Sequence, residues 1–414
     1  MARISNKQKR FRKIIRIIAI TCIVIMAVEI MYLIYVKCFK KPSRTYFDGT
    51  NAITYNNKYY ATVGSNNDND DGYERAKITL YNKSKNKLWE KVYNKGYNGA
   101  YFGIAIDTDN ATLAVGSYEA SKSEHKDTTR SALFVKYDKD GNIVFEKEFQ
   151  VLGNSKFTNV KVVDDGYIVV GQSIYENSTL GLSDEGGAFI IKYDKAGNIV
   201  WKENYGGSKS GVFNDLVILN DNIYVVGKNY ARVGVIAKYD MNGNLIKDTE
   251  YKSTDTFGFT GITVVDNNLV VVGGKKVSAD ENSWDIDGLL VKYDSDCNYV
   301  GEMIYTGKGI ERYNQVMTDS DNNIVAIGTT GVYNKKKSTK DRNVFSYNGI
   351  IGKYKANLKL VEVEEYGDEL DDYFTDILEV NNQYVVTGYS AYKDNGYMSK
   401  FITYSKALKV LDVK

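Results

Sequence analysis

"FIIKYDKAGNIVWKENYGG", residues 189–207, is the stretch on which the reading of this chain turns. "FIIKY" is rich in Ile and aromatic residues, "DKAGN" interrupts it, and "IVWKENY" resumes it. Two β-prone runs around a short turn of Asp, Gly and Asn predict an antiparallel hairpin. The chain writes the same hairpin elsewhere: "LFVKYDKDGNIVFEKEF" at 133–149, "GVIAKYDMNGNLIKDTEY" at 234–251 and "GLLVKYDSDCNYVGEMIY" at 288–305. A repeated hairpin predicts an architecture assembled from copies of one unit.

Three landmarks count the copies. An aliphatic pair ending in glycine recurs at Gly64, Gly116, Gly171, Gly227, Gly273, Gly328 and Gly388, with spacings of 52, 55, 56, 46, 55 and 60 residues. A tyrosine closing the first hairpin strand recurs at Tyr81, Tyr137, Tyr193, Tyr239, Tyr293, Tyr354 and Tyr404. Upstream of each glycine, an aromatic stands three residues before an aliphatic, as in "FTNV" at 157 and "FNDL" at 213, degenerating to "TNAI" at 50 in the first copy. Each unit reads as four strands, A to D, shown best by "FNDLVIL", "NIYVVG", "GVIAKYD" and "NLIKDTEY" within 213–251. Seven units of four antiparallel strands at about 50 residues predict an all-β, seven-bladed β-propeller over 47–414.

The succession "YIVVG" (167–171), "FIIKYD" (189–194), "GNIVW" (197–201) and "YGG" (205–207) resembles the bacterial seven-bladed propeller repeat known as the SBBP repeat. The resemblance spans about 47–414 and is best over 157–305. It implies the propeller fold and a bacterial, exported or surface-exposed protein. It brings no catalytic or binding residues with it.

The N-terminus is of another kind. Residues 1–16 carry seven Lys or Arg and no acid, and residues 17–36, "IIAITCIVIMAVEIMYLIYV", carry one charge, Glu29. Twenty helical residues span a bilayer core. The eleven Ile, Leu and Val residues among them favour insertion by about 3 to 7 kcal/mol, against ~3 kcal/mol for a charged Glu29. The segment "KCFKKPSRTY" after Val36 offers no signal-peptidase pattern, so an uncleaved anchor is expected. The far flank has four basic residues (Lys37, Lys40, Lys41, Arg44) against seven on the near side, which places the N-terminus in the cytoplasm and the propeller outside. The expected organisation is therefore a cytoplasmic tail (1–16), a single-pass membrane anchor (17–36), a linker (37–46) and an extracytoplasmic propeller (47–414).

Composition agrees with this and narrows the chemistry. The chain has 35 Tyr, 36 Gly, the single Pro42 and a net charge of +2. That balance speaks against nucleic acid as a partner. Cys22, Cys38 and Cys297 do not form a disulfide framework or a metal-ligand spacing. With His125 the one histidine, neither a zinc site nor a Ser-His-Asp triad can be nominated. No phosphate-binding glycine loop is present. We therefore expect no metal, no cofactor and no enzyme.

Binding is expected on one face. The C–D turns ("DKDGN", "DKAGN", "DMNGN", "DSDCN") are short and alike, whereas the B–C connections (65–77, 117–131, 274–288, 329–348) are long and differ in every copy. The acids Asp280, Glu281, Asp285 and Asp287 and the basic run Lys335–Lys337 make that face electrostatically uneven. Trp284, Tyr230 and Tyr333 are the candidate aromatic contacts. Polar residues following the strand-A aromatic, among them Asn159, Asp215, Asn314 and Asp376, are expected to ring the channel, either around a small ligand or around water alone. The expected function is a non-catalytic binding or scaffolding module for a protein partner. A glycan-binding module, or a carbohydrate- or peptide-active enzyme working at the channel, is the alternative.

Overall fold

Strand propensity and glycine-rich turns resolve, among the described residues, into 28 strands in seven consecutive antiparallel four-strand units, with no helix. The computed structural model describes residues 48–414 except 68–71, 121–129, 151–152, 175–186, 206–210, 230–232, 254–255, 278–285, 308, 334–344, 368–369 and 393–395. The tail, anchor and linker expected over 1–46 lie outside the described residues. Among the described residues no helix is long and apolar enough to cross a membrane.

The quoted hairpin is the outer half of the third unit. Its strands, Gly187–Asp194 and Ile199–Tyr205, pair beyond Gly166–Ile174, which in turn pairs with Asn154–Val163 in the order D-C-B-A. The other units repeat this order. A single parallel pair, Ile286 with Ile310, joins the fifth and sixth units into one eight-stranded sheet. Strand A of each unit lines a shared central cavity. The architecture is a β-propeller of four-stranded blades, each completed by its own consecutive strands.

The sequence landmarks acquire physical reasons here. In every blade, strand A carries a β-bulge at the residue after the aromatic landmark, for example between Phe213 and Asp215 and between Tyr313 and Gln315. The landmark glycine faces that aromatic across the sheet: Gly227 opposite Phe213, Gly328 opposite Tyr313. A Cβ on Gly227 would lie 1.7 Å from the Val212 carbonyl oxygen, and one on Gly328 1.8 Å from that of Arg312. The bulge pushes backbone into the space a side chain would need, so only glycine fits.

Core clusters bridge blade to blade. Tyr224 and Val226 of the fourth pack with Phe259, Leu269 and Val271 of the fifth. The first and last blades are sealed in the same way, by Ile53 and Tyr60 against Val380 and Val385. Each fully buried side chain of this size contributes roughly 1.5–3 kcal/mol.

Not all of the quoted hairpin packs inward: Ile199 and Val200 are 48% and 57% exposed. Strand D is the outer edge, and Trp201 and Tyr205 reach inward from it: the Trp201 indole lies over Gly243 in the turn of the next blade with its Nε1 donating to the Met241 carbonyl at 3.1 Å, and the Tyr205 ring lies 5.1 Å from that of Phe213. The B–C connection of the sixth blade, expected over 329–348, is shorter than that: Ile324–Tyr333 and Phe345–Tyr354 pair all the way to Tyr333 opposite Phe345, and 334–344 lie outside the described residues.

Candidate functional site

The seven bulges aim strand-A side chains into a central cavity of about 560 Å³. Asn159, Asp215, Asn314 and Asp376 all line it, so the fold brings together the four residues nominated for the channel. Their hydrogen bonds form two tiers.

The first tier is the bulged residue itself. Its side chain donates to the carbonyl at the aromatic-landmark position of the next blade: Asn51 to Tyr101 (2.8 Å), Thr158 to Phe213 (2.6 Å), Asn214 to Phe259 (2.7 Å), Thr260 to Tyr313 (2.8 Å), Asn314 to Phe374 (3.1 Å) and Thr375 to Thr50 (2.7 Å). The last of these closes the circle from the final blade to the first. One place differs. The second blade has Phe102, which has no donor, and its ring lies 5.1 Å from the Lys156 ammonium.

The second tier is the following residue. A bulge frees the backbone N–H one position on, and a side-chain oxygen takes it. Asp215 accepts from Leu216 N (2.8 Å) in its own blade and Ile262 N (3.1 Å) in the next. Asp376 likewise accepts from Ile377 N (2.9 Å) and, across the closing seam, Ile53 N (2.8 Å). Asn159 accepts from Val160 N and donates to Asp215. Burial raises the Asp215 carboxyl, opposed by Lys161 and the two N–H donors. Burial also lifts Asp376, to about 7, against the Ile53 and Ile377 donors and with the neighbouring Asp215 adding to the rise. The four nominated residues thus tie blade to blade while facing the cavity.

On the A–B and C–D side, short turns are locked into each other. Asp107, 4% exposed in an A–B turn, accepts from Lys136 Nζ (3.0 Å) and, from the next blade, Tyr167 OH (2.6 Å) and Lys195 Nζ (3.1 Å). Asp319 repeats this with Tyr384 OH (2.6 Å) and Lys406 Nζ (3.2 Å). Burial alone would raise both carboxyls, but the tyrosine and lysine donors outweigh it and hold them low, Asp319 at about 2. Trp89 Nε1 caps the Lys139 carbonyl of the following C–D turn (2.9 Å).

The B–C side is different. Tyr347, Tyr373, Tyr389 and Tyr397, from the last two blades, form one half-buried cluster, with ring centroids 5.7 Å apart for Tyr347–Tyr373, 5.1 Å for Tyr373–Tyr389 and 5.6 Å for Tyr389–Tyr397. Sequence reasoning missed this cluster. Its signal was a tyrosine beside the B–C connection in "SYN", "GYS" and "GYM", which separation in the chain concealed. Of the aromatics nominated instead, Trp284 and Tyr230 lie outside the described residues. Tyr333 ends its strand B, with its side chain outside the described set. Asp287, grouped with loop acids from the sequence, belongs to strand C of the fifth blade, is 3% exposed and accepts from Thr306 Oγ1 (2.5 Å). Among the described residues no group of three or more His, Cys, Asp or Glu is placed to hold a metal ion.

No protein-family model matches the chain, and no curated protein matches it. Solved structures do. A putative 6-phosphogluconolactonase from Bacteroides uniformis aligns with a TM-score of 0.53 at 10% identity, over 86% of this chain and 95% of that one. The β-propeller domain of the Trilobed protease from Pyrococcus furiosus aligns at 0.49, with 11% identity over 90% and 96%. The Pan2 WD40 domain of Neurospora crassa also reaches 0.49, with 7% identity over 84% and 93%. At such identities the likeness concerns the fold alone.

Proposed function

We propose that this chain is a membrane-tethered, extracytoplasmic propeller that binds a protein partner through its B–C face and performs no chemistry of its own. The observation that carries the reading is the tyrosine cluster at residues 347, 373, 389 and 397. Tyrosine offers a large, stiff contact surface with a polar tip, and clustered aromatics dominate the energetics of protein interfaces. The opposite face has its turns engaged in contacts between blades, which leaves the B–C side as the one with variable sequence to offer a partner. Tethering rests on the apolar stretch 17–36, and the outward orientation on the basic excess of 1–16. The SBBP-like repeat fits an exported bacterial protein.

The test is in vivo crosslinking of the full chain, compared with a Tyr373→Ala/Tyr389→Ala/Tyr397→Ala variant and with a variant whose 334–344 segment is replaced by Gly-Ser. One specific crosslinked partner, lost in the tyrosine variant while the variant keeps its melting temperature, is the expected result. Identical crosslinks in all three proteins would refute the face. Protease added to wall-stripped intact cells should digest the propeller; full protection until lysis would refute the orientation.

A further inference from the structure

The repeat supplies its own control. Six bulges carry an Asn or Thr that ties one blade to the next, and the second carries Phe102. Beside Phe102 stands Lys156, on strand A of the third blade and lining the cavity. Its ammonium has no hydrogen bond and no carboxylate partner among the described residues, only the Phe102 ring. Its charged neighbours make matters worse: burial, then Lys228, then Arg130 push its pKa down. Arg130 already has Glu119 at 3.1 Å. Lys156 is half-buried, and a partly desolvated cation without a counter-charge is costly, a cost that an anion placed beside it would offset.

We propose that the central cavity is a binding site for a small polyhydroxylated anion, a sugar ring bearing one carboxylate or phosphate, with the anionic group beside Lys156. The inference is independent of the protein-binding reading above. Three features select this ligand class. The cavity volume, about 560 Å³, lies in the range of small-molecule sites. The lining offers amides and hydroxyls, Asn51, Thr158, Asn159, Asn214 and Gln315, which keep acceptor or donor capacity beyond the blade-to-blade bonds and suit hydroxyl groups. The half-buried Phe102 ring gives an apolar sugar face something to lie against. The lining acids do not cancel the lysines: Lys161 already acts on both Asp215 and Asp376, and the two carboxyls are raised toward their neutral form. At the Lys156 end the cavity is left positive.

The test is thermal unfolding of the purified full chain with about 10 mM glucuronate or glucose 1-phosphate, against glucose, acetate and inorganic phosphate at the same concentration. One of the two charged sugars should raise the melting temperature by roughly 2–4 °C, with glucose, acetate and phosphate giving less than half of that. The two charged sugars distinguish a carboxylate from a phosphate ligand. Lys156→Met should abolish the shift while leaving the unliganded protein at least as stable as wild type, because it removes an uncompensated cation; a purely structural lysine would instead lower the melting temperature when replaced. Phe102→Asn, which restores the pattern of the other six blades, should fold and bind at least fivefold more weakly. No shift with either charged sugar, an equal shift with inorganic phosphate or acetate, or an unliganded Lys156→Met protein less stable than wild type would overturn the proposal.

Discussion

The carboxylate of Asp376 in the last blade accepts the backbone N–H of Ile53 in the first at 2.8 Å, so the ring is closed at its centre by a side chain and not by a shared strand. Thr375, one residue earlier, reaches the Thr50 carbonyl across the same seam. Because Asp376 is lifted to about 7 in the fold, the folded state holds its proton more tightly than the unfolded state does. The stability this contributes is fully present below the unfolded carboxylate value near 4 and is lost as pH rises through about 7. Wild type measured against Asp376→Asn should therefore lose relative stability between pH 4 and 7 in denaturant titrations. A flat difference across that window would contradict the assignment.

Asp319 should behave in the opposite sense. Tyr384, Asn323 and Lys406 hold it at about 2 despite burial, so its contribution is present above the unfolded value near 4 and disappears as pH falls toward 2. Asp319→Ala leaves the buried Tyr384 hydroxyl and Lys353 without their carboxylate, although Lys406 keeps Glu379 at 2.6 Å, and should cost about 3 kcal/mol at pH 7. The cost should shrink in titrations run at pH 3 and below. Asp107→Ala should show the same dependence at the joint between the second and third blades.

Gly227→Ala tests the reason for the glycine landmark. The added methyl would sit 1.7 Å from the Val212 carbonyl oxygen, a backbone atom that cannot step aside without undoing the bulge. The variant should lose at least ~3 kcal/mol or fail to accumulate in soluble form. Gly301→Ala, where nothing lies within 4 Å, should change stability by less than about 0.5 kcal/mol in the same assay.

The contrast explains what could be read in advance. Gly227, Phe213 and Tyr239 recur because each blade meets the same steric demand, and a demand repeated in every copy leaves a period in the sequence. The polar residues at 159, 215, 314 and 376 were legible as a ring for the same reason. What they bond to was not, since every partner stands 45 or more residues away along the chain or on a backbone whose path the bulge decides. The tyrosine cluster was invisible because strand pairing in the last blade brings Tyr373, Tyr389 and Tyr397 together, and Tyr347 joins them from the blade before. Asp287 looked like a loop acid because strand C of the fifth blade begins one residue before it, at Ile286, a boundary that no turn residue marks.

Cys297 carries the last prediction. In the other quoted C–D turns its place is taken by Gly141, Gly197 or Gly243, all with positive φ, and Cys297 keeps that geometry at φ 57°. A non-glycine residue there costs about 1 kcal/mol. The side chain compensates by complete burial in the core shared by the fourth and fifth blades, to which Tyr224 and Tyr293 also belong. Burial also pushes the thiol up to about 11, so at neutral pH it is protonated and a poor nucleophile. Cys297→Gly should relieve the backbone and lose the packing, leaving stability within about 0.5 kcal/mol of wild type. Cys297→Ala keeps the strained φ while losing the sulfur, and should cost about 1 kcal/mol more than the glycine variant. Denaturant titrations of the two variants decide between them. In the native protein the Cys297 thiol should resist a bulky disulfide reagent that labels it at once in denaturant; rapid native labelling would show that the turn opens, and that packing does not hold Cys297 in its left-handed conformation.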